Sequence, residues 1–327
     1  MRILFAGTPE MAVPSLHRLA VRFDVVAVLT APDRRRGRKK EPQPSPVKAA
    51  AESLSIPVIQ PPRLNGDARG QVQAVAPDLL AVVAYGRIFG PKFMALFPYG
   101  GINLHPSLLP RHRGPSPIPA AILAGDSETG ITVQQVAPEM DSGDILAQER
   151  ISLDGTETTA SLTEKVARDG AVLLEEVVAA VADHSARPVP QDHDAATYCT
   201  LIQKADGRID WSEPADHIER MSRAYNPWPG AHTFLGDQQL TLWETALYPG
   251  RAPESEDQAP EADGTRARGG ADAEAGQVLG VDKAHGILIQ TGDGVLAVRR
   301  LQLQSRGATD WMSFLNGVRD FVGRTLE

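Results

Sequence analysis

The sequence predicts an α/β fold in which a doubly wound, mostly parallel sheet is followed by a small β-barrel. In the first half, short apolar runs alternate with segments of helical periodicity. Repeated β-α-β spacing of this kind is typical of a parallel sheet with helices on its faces. The last third instead carries short alternating segments separated by Gly and Asp. The 327 residues are enough for two domains of these kinds.

The predicted strands and helices of the first half follow one another in regular order. The strands are 2–6, 24–30, 57–59, 79–85, 101–104 and the alternating segment 129–136. The helices are 11–22, one that begins after Ser45-Pro46, and 161–181. Serine at an N-cap followed by proline in the first turn is a common helix start. The run 79–85 is apolar throughout, as strands buried on both faces tend to be.

A dinucleotide-binding domain is the alternative interpretation of this half. That fold requires Gly-x-Gly-x-x-Gly directly after the first strand. The turn here reads Gly7-Thr8-Pro9-Glu10-Met11, which lacks the two later glycines, and the P-loop pattern is also missing. We therefore expect a different ligand at the carboxyl ends of the strands, where Gly7, Tyr85 and Asn103 lie.

The second half begins after a segment of weak periodicity. Residues 187–205 contain two prolines and predict a linker between a first domain at 1–186 and a second at 206–327. The second domain has a predicted helix at 216–223, strands at 232–235, 239–245, 277–281, 286–290 and 294–303, and a terminal helix at 311–322. Residues 251–275 are rich in Ala, Gly, Pro, Glu and Asp and predict a mobile surface loop.

Bulk properties indicate a cytoplasmic protein. The chain is 42% hydrophobic and 23% charged, with a net charge of −8. Its single cysteine, Cys199, excludes an intrachain disulfide and fits a reducing compartment. No apolar run resembles a signal peptide or approaches the roughly 18 residues of a membrane-spanning helix. His, Cys and acidic residues do not cluster at metal-ligand spacing, so we expect no metal, and without a strong association helix we expect a monomer.

The segment Gly101–Pro110 carries the most chemical information. Asn103 and His105 are two positions apart at the end of a predicted strand, so their side chains leave the same face. An amide that can stabilise an oxyanion beside an imidazole that can move a proton is suited to acyl transfer. On spacing alone, a chance polar pair at a strand end is the alternative.

Three motifs together resemble the signature of the folate-dependent formyltransferases. They are Asn103-x-His105, Ser107-Leu108-Leu109-Pro110, and Asp141 followed by Gly143-Asp144. The resemblance implies transfer of a formyl group from 10-formyltetrahydrofolate to an amine, with catalytic residues Asn103, His105 and Asp141. It implies that Asp141 orients His105. It also implies folate contacts from Ser107, Leu108, Leu109 and Pro110, and a pterin pocket lined by Tyr85, Gly86, Ile88, Phe89, Val136, Glu139 and Met140.

The second half is similar to the C-terminal domain of the tRNA-acting members of that family. The matching motifs are Arg208-Ile209-Asp210-Trp211 and Asn226-Pro227-Trp228-Pro229-Gly230. In those members this domain is an OB-like barrel that helps to hold the RNA, so the resemblance implies initiator methionyl-tRNA as the acceptor. OB folds are common nucleic-acid platforms. For Trp211 and Trp228 themselves, we expect core packing.

A basic run interrupts this acidic protein between the second strand and the Ser45 helix start. Its cations are Arg34, Arg35, Arg36, Arg38, Lys39 and Lys40. Like charges at this density repel one another unless an anionic partner is present. The run also matches the position of a basic loop in the tRNA-acting members, so we expect these residues to contact tRNA phosphates. Arg111, His112 and Arg113 are expected to face RNA or the folate tail.

Two other functions stay open from the sequence. The first is a formyltransferase that acts on a small-molecule amine, which formyl transfer without RNA would favour. The second is a non-catalytic RNA-binding protein on a reused α/β scaffold, which absence of folate binding would favour. The second domain and the basic run argue against the first, and the Asn103, His105 and Asp141 set argues against the second.

Overall fold

A computed structural model describes residues 1–35, 41–250 and 273–327. The chain forms two compact units. The first comprises Met1–Ala121, Asp126–Asp154 and Ser161–Leu201, and the second comprises Ile122–Gly125, Gly155–Ala160 and Ile202–Glu327. The predicted domain boundaries stay predictions. Of the predicted tRNA contacts, Arg36, Arg38, Lys39 and Lys40 lie outside the described residues, as does most of the predicted loop at 251–275.

The first unit is built on a seven-stranded sheet with the order β5-β2-β1-β6-β7-β8-β9. Its strands are β1 (Arg2–Gly7), β2 (Asp24–Leu29), β5 (Val58–Ile59), β6 (Leu79–Val83), β7 (Gly101–His105), β8 (Glu128–Gln135) and β9 (Ile145–Ser152). The first five in this order are parallel, whereas β8 and β9 are antiparallel to their neighbours. A short hairpin pairs β3 (Arg34–Arg35) with β4 (Pro42–Gln43). The predicted doubly wound, mostly parallel sheet is confirmed.

The strand order places the carboxyl ends of β1, β6 and β7 along one edge of the sheet. The order reverses between β1 and β6, so the chain leaves the sheet in opposite directions on either side of that pair. Ligands of such sheets bind beyond the strand ends near this reversal. Thr8, Tyr85 and His105 end or follow these three strands.

The helices were only partly predicted from the sequence. They are α1 (Val13–Arg22), α2 (Pro46–Ser53), α3 (Gly66–Ala74), α4 (Pro91–Met94), α5 (Pro117–Ala124) and α6 (Thr159–Ala182). Ser45 caps α2, because its hydroxyl accepts a hydrogen bond from the Lys48 amide at 3.0 Å. In α6, a Cβ at Gly170 would lie 2.7 Å from a methyl group of Leu104, so glycine lets this helix pack closely on β7. The starts of α1, α2 and α6 lie within two residues of the predicted ones, whereas β9, α3, α4 and α5 were not predicted.

A row of aromatic side chains supports the loop that follows β6. Tyr85, Phe89, Phe93 and Phe97 are spaced four residues apart, with successive ring centroids 5.3 to 5.8 Å from each other. All four belong to a core that also contains apolar residues of β1, β2 and β6. The loop after β6 is therefore anchored by its own aromatic residues.

The second unit contains an antiparallel sheet with the order β10-β11-β14-β13-β12. Its strands are β10 (Ala231–Leu235), β11 (Gln238–Leu247), β12 (Val278–Asp282), β13 (Gly286–Gln290) and β14 (Val295–Leu303), and β15 (Thr309–Asp310) pairs with β14. The helices are α7 (Ala215–Ala224) and α8 (Trp311–Gly317). The small antiparallel β domain is confirmed, whereas closure into an OB-like barrel stays a prediction. The terminal helix is shorter than predicted, since the backbone becomes extended at Val318.

The two tryptophans of the second unit have opposite environments. Trp211 is buried, as predicted, and its indole N–H donates to the Thr233 hydroxyl at 3.0 Å. Trp228 is 56% exposed, so the prediction of core packing is wrong for this residue. The nearby Tyr225 is the buried aromatic residue at the end of α7, and Trp228 lies in the proline-flanked turn beyond it.

Among the described helices, none combines the length and the apolar character needed to span a lipid bilayer.

Candidate active site

Strand β7 presents Asn103 and His105 from one face. Asn103 lies between Val82 of β6 and Gln134 of β8 in the sheet. The Asn103 amide nitrogen lies 3.4 Å from Oδ1 of Asp141, and His105 Nδ1 lies 3.5 Å from the same oxygen. The predicted shared face is therefore confirmed. The intervening Leu104 is buried on the other face, where α6 packs.

Asp141 reaches this pair from the loop that follows β8. Although 36 positions separate it from His105 in the sequence, β8 ends beside Ile102 at the start of β7, and the loop after it folds back so that Asp141 reaches Asn103 and His105. Asp141 has a φ of +52°, in the left-handed region that is unfavourable for most residues with a side chain. Such a backbone persists only where its surroundings hold it in place.

Three further groups hold the Asp141 loop. Gln134 Nε2 donates to Oδ1 at 3.0 Å, and the Gly114 amide donates to Oδ2 at 2.9 Å. Gly143 approaches the Gln135 carbonyl so closely that a side chain at this position would clash with the backbone. The carboxylate is thus fixed by donors from β8 and from the segment after the 107–110 turn.

The hydrogen bond to His112 assigns the tautomer of His105. His105 Nε2 lies 3.0 Å from the backbone carbonyl of His112, and Nδ1 lies 3.5 Å from the Asp141 carboxylate. Both partners only accept, so the shorter contact places the proton of neutral His105 on Nε2. Nδ1 is then the basic nitrogen, and it faces Asp141. Burial holds the pKa of His105 below its ordinary value, while the Asp141 carboxylate opposes that shift. The imidazole is therefore neutral at pH 7 and ready to accept a proton at Nδ1.

The arrangement can stabilise an anion and move a proton at adjacent positions. Because a carboxylate only accepts, the Asn103 amide group must face Asp141, which engages one of its two N–H bonds. The second N–H bond can serve a developing oxyanion. His105 Nδ1 supplies a base next to it, and Asp141 can stabilise the imidazolium that forms.

A second histidine–carboxylate pair lies close by in the sequence. His112 Nε2 lies 2.7 Å from Asp126 Oδ2, and Arg111 forms a salt bridge to the other oxygen. Arg113 is only 2% exposed and donates to Gln191, Tyr198 and His193. The expectation that Arg113 faces RNA or folate is wrong, because this side chain is enclosed by the segment that follows α6.

The predicted folate turn is held by its own hydrogen bonds. The Ser107 hydroxyl donates to the Arg111 carbonyl at 2.6 Å, and the Leu109 amide donates to the Thr132 hydroxyl at 3.1 Å. Ser107 and Leu109 are buried, whereas Leu108 and Pro110 are half-buried. In this structure Leu108 and Pro110 are the members of the turn whose side chains a ligand can reach.

The predicted pterin-lining residues fall into two groups. Tyr85, Phe89 and Val136 belong to or pack against the core of the first unit. Ile88 and Met140 are 74% and 53% exposed, and Gly86 and Glu139 are also exposed. Exposed large apolar side chains often mark binding surfaces. The accessible part of this predicted set therefore consists of Gly86, Ile88, Glu139 and Met140.

A polar cavity of about 250 Å³ lies beside the Tyr85 loop. It is lined by Thr8, Ala31, Pro32, Arg34, Gln43, Ser45, Tyr85, Gly86 and Arg87. The buried Thr8 hydroxyl has no hydrogen-bond partner among the described residues. Burial raises the pKa of the Tyr85 hydroxyl, although the nearby Arg87 opposes the shift. The cavity brings two residues predicted for folate, Tyr85 and Gly86, together with one predicted for tRNA, Arg34.

Arg34 and Arg35 are the two predicted tRNA contacts that the structure describes. Both are exposed on the β3–β4 hairpin. The preceding Asp33 is paired with Lys48 at 2.7 Å and accepts from Gln60, and these hydrogen bonds lower its pKa. Because Lys48 compensates the negative charge of Asp33, Arg34 and Arg35 can interact with another anionic partner.

Comparison with known proteins identifies the family. Residues 1–178 match the formyl transferase family, and residues 201–319 match the formyl transferase C-terminal domain.

The chain belongs to the formyl transferase family.

Relatives of this formyl transferase match it over nearly their full length. The methionyl-tRNA formyltransferase of Treponema denticola is 45% identical over 330 residues, which cover 98% of each chain. The methionyl-tRNA formyltransferase of Chloroflexus aurantiacus is 41% identical over 320 residues, or 97% of each chain. Both domains of the chain therefore have counterparts in these relatives.

Solved structures share the formyl transferase fold at low identity. WlaRD, a sugar 3N-formyl transferase solved in the presence of dTDP and 5-N-formyl-THF, has a TM-score of 0.63 at 15% identity. It covers 94% of this chain and 99% of its own. HypX from Aquifex aeolicus in complex with tetrahydrofolic acid has a TM-score of 0.58 at 17% identity, over 98% of this chain and 48% of its own. These likenesses concern the fold alone.

Sequence reasoning missed three members of this formyl transferase site. Gln134 could have been found, because Thr132 and Gln134 give β8 a polar face, which pairs with His105 and Asn103 of β7. The Gly114 amide and the Gln191 side chain gave no such signal. Gln191 is 5% exposed although it lies in the non-periodic segment predicted as a linker. The described residues contain no group of three or more His, Cys, Asp or Glu side chains placed to hold a metal ion.

Proposed function

We propose that this formyl transferase moves the formyl group of 10-formyltetrahydrofolate to the α-amine of initiator methionyl-tRNA, giving formylmethionyl-tRNA for translation initiation. The observation that carries the proposal is the meeting of Asn103 and His105 at one oxygen of Asp141. The full-length relatives named methionyl-tRNA formyltransferase support this acceptor. We propose Asn103, His105 and Asp141 as the catalytic residues.

The proposed donor site combines exposed apolar side chains with polar ones. 10-Formyltetrahydrofolate supplies a one-carbon group bound to a nitrogen that can leave. Ile88 and Met140 offer exposed apolar surface for a flat ring. The Thr8 hydroxyl, which has no partner within the described parts of the chain, lies in the cavity beside Tyr85 and fits a polar ligand. Leu108 and Pro110 are the proposed contacts from the turn.

Asn103 is proposed to act on the formyl oxygen. When the amine nitrogen attacks the formyl carbon, negative charge builds up on that oxygen. The N–H bond of Asn103 that does not face Asp141 can donate to it. A fixed amide donor at this position stabilises the transition state more than the ground state, which is the basis of oxyanion-type catalysis.

His105 and Asp141 are proposed to move the proton. The new C–N bond leaves the attacking nitrogen with an extra proton, which His105 Nδ1 accepts. The bond between the formyl carbon and folate N10 then breaks, and the proton passes to N10. Asp141 stabilises the imidazolium between these two steps, because its carboxylate lies 3.5 Å from Nδ1.

The proposed tRNA contacts are Arg34, Arg35, Arg36, Arg38, Lys39 and Lys40. Replacing Arg34 and Arg35 by Gln should weaken tRNA binding and flatten its salt dependence, because fewer counterions are released. Filter-binding titrations at several salt concentrations measure both effects. Unchanged affinity and slope would remove these two arginines from the proposed surface. The second domain at 206–327, a monomeric state and a cytoplasmic location belong to the same proposal.

The decisive experiment is a formylation assay. The purified protein is incubated with 10-formyltetrahydrofolate and charged initiator methionyl-tRNA, and formylmethionyl-tRNA is measured. Uncharged tRNA and free methionine are the controls. Product from charged tRNA alone is the expected result. Absence of product while folate still binds would overturn the proposed acceptor and favour a small-molecule amine, whereas absence of folate binding would favour an RNA-binding protein.

A further inference from the structure

Gln191 links a segment outside the catalytic motifs to the Asp141 loop. Its Nε2 lies 2.7 Å from the Gly143 carbonyl and 2.9 Å from the Asp141 carbonyl, with Gln134 Oε1 at 3.2 Å. Its Oε1 accepts two hydrogen bonds from Arg113, from Nη2 at 2.6 Å and from Nε at 3.1 Å. All these groups are buried or half-buried, where hydrogen bonds are costly to lose.

Arg113 orients the whole network. A guanidinium can only donate, so Gln191 must turn its oxygen towards Arg113 and its amide nitrogen towards the loop carbonyls. Gln134 then faces Gln191 with its oxygen and Asp141 with its amide nitrogen. One arginine thus sets the direction of two amides, and the last of them donates to the carboxylate.

Arg113 is committed to this role. Within the described residues it forms no salt bridge, and its remaining partners are the Tyr198 hydroxyl at 3.2 Å and His193 Nδ1 at 3.0 Å. A buried cation without a carboxylate is retained only where its hydrogen bonds are satisfied. Its position next to Gly114, whose amide binds Asp141, adds a second link to the same carboxylate.

Residues 189–199, which we call the strap, are fixed on both sides of Gln191. Val189 exchanges two backbone hydrogen bonds with Ile145 of β9, at 2.8 and 2.9 Å. Arg113 exchanges two with Thr197 and Cys199, both at 2.8 Å. Gln191 is therefore held by a segment that is itself docked, rather than by a free linker.

We propose that Gln191 is a positioning residue for Asp141, and that the Arg113–Gln191 pair makes the catalytic geometry depend on the strap. The proposal rests on the proposed function for its catalytic readout. Without the amide of Gln191, the left-handed backbone at Asp141 loses two of its anchors, and the carboxylate moves away from His105 and Asn103.

Two substitutions distinguish the role of the Gln191 side-chain oxygen from that of its amide nitrogen. Gln191→Met keeps the size but removes all of its hydrogen bonds. Gln191→Glu keeps an acceptor for Arg113 but places a carboxylate against the two carbonyls. Both should lower kcat by up to about 100-fold, the scale for a misplaced catalytic group, with KM for tRNA little changed. Parent-like activity in Gln191→Glu would mean that only the Arg113 contact matters, which overturns the proposal.

The matched control is Glu175→Met, which removes the contacts of a half-buried side chain of the first unit with Arg18 and Arg22. Its kcat should stay close to that of the parent protein. Equal losses in Glu175→Met and Gln191→Met would mean that the activity reports general destabilisation, against the proposal.

Two readouts do not depend on activity. Hydrogen exchange in peptides that cover 139–144 should be faster in Gln191→Met, because the loop carbonyls lose their donor. The NMR titration of His105 should move to lower pH, because Asp141 no longer opposes the effects of burial and of the neighbouring His112. Unchanged exchange and titration would overturn the proposal. If the parent protein does not formylate methionyl-tRNA, the proposed function fails while these two readouts still decide the role of Gln191.

Discussion

Two histidine–aspartate pairs in the first unit differ in the hydrogen-bonding groups that they leave for a substrate. The pair His112–Asp126 is the shorter at 2.7 Å, and Arg111 occupies the second oxygen of its carboxylate. The pair His105–Asp141 is longer at 3.5 Å, and beside it remain the basic Nδ1 and the second N–H bond of Asn103. The tighter pair joins two side chains of the protein, whereas beside the looser pair a ring nitrogen and an amide N–H are available to a substrate.

The two pairs are also connected. The backbone carbonyl of His112 accepts a hydrogen bond from Nε2 of His105, so a residue of the tighter pair fixes the imidazole of the looser pair. The pair with the shorter contact therefore anchors His105, and the pair with the longer contact is the one proposed to carry out the chemistry.

The largest expected effect comes from the histidines themselves. His105→Gln should lower kcat by about 10²–10⁴-fold, the scale for loss of a general acid–base group. His112→Gln should keep most of kcat, because the backbone carbonyl that binds His105 is unchanged. Steady-state formylation kinetics of the two variants measure this difference, and equal losses would break the distinction between the pairs.

The amide beside the looser pair gives the next largest effect. Asn103→Ala should lower kcat by about 10²–10³-fold, the scale for removal of one oxyanion donor. Affinity for tRNA should be almost unchanged, since the substitution lies at the strand end and removes no charge. Kinetics and tRNA binding are measured on the same preparation, and near-normal turnover would reject the role proposed for Asn103.

Substitution in the tighter pair, His112–Asp126, should affect stability more than catalysis. Asp126→Asn should lower the free energy of unfolding by about 1 kcal/mol, because it weakens a half-buried hydrogen bond to His112 and an exposed salt bridge to Arg111. Asp141→Asn should instead lower kcat by a larger factor than it lowers stability. Urea denaturation and kinetics of both variants test this contrast, which the reverse pattern would contradict.

The smallest effect is a pH dependence of stability. Folded His105 resists protonation because burial lowers its pKa, whereas the unfolded residue takes up a proton below about pH 6.5. The unfolded state then binds more protons, so the free energy of unfolding falls as the pH drops from that value to the folded pKa. Urea denaturation at several pH values should show a weaker fall in His105→Gln than in the parent protein. Identical slopes would remove His105 as the cause.

Local pattern was enough to predict six of the seven strands of the first sheet and the pairing of two site residues. Asn103 and His105 could be paired because the period of a strand is two, and the β-α-β spacing placed them at a strand end. That Asp141 joins them follows from the loop after β8, which folds back over the pair and which residue spacing does not encode. Gln191 was hidden because a residue in a non-periodic segment carries no directional signal.

The failed expectations share one physical cause. Arg113 was expected to contact a ligand because it is charged, and Trp228 was expected in the core because it is large and apolar. In the structure Arg113 is buried and its guanidinium donates hydrogen bonds to Gln191 and Tyr198, whereas Trp228 is exposed in a proline-flanked turn. Composition predicts average burial, and specific partners or turns override it.

The docking of the strap has a consequence for recombination between relatives. A hybrid protein joined at residue 186 would keep Asn103, His105 and Asp141 from this chain, yet Arg113 would meet whatever residue the other parent supplies at position 191. The compact unit that contains these groups extends to Leu201. If members of the family exchange C-terminal halves, we therefore expect residues 1–201 to come from one parent.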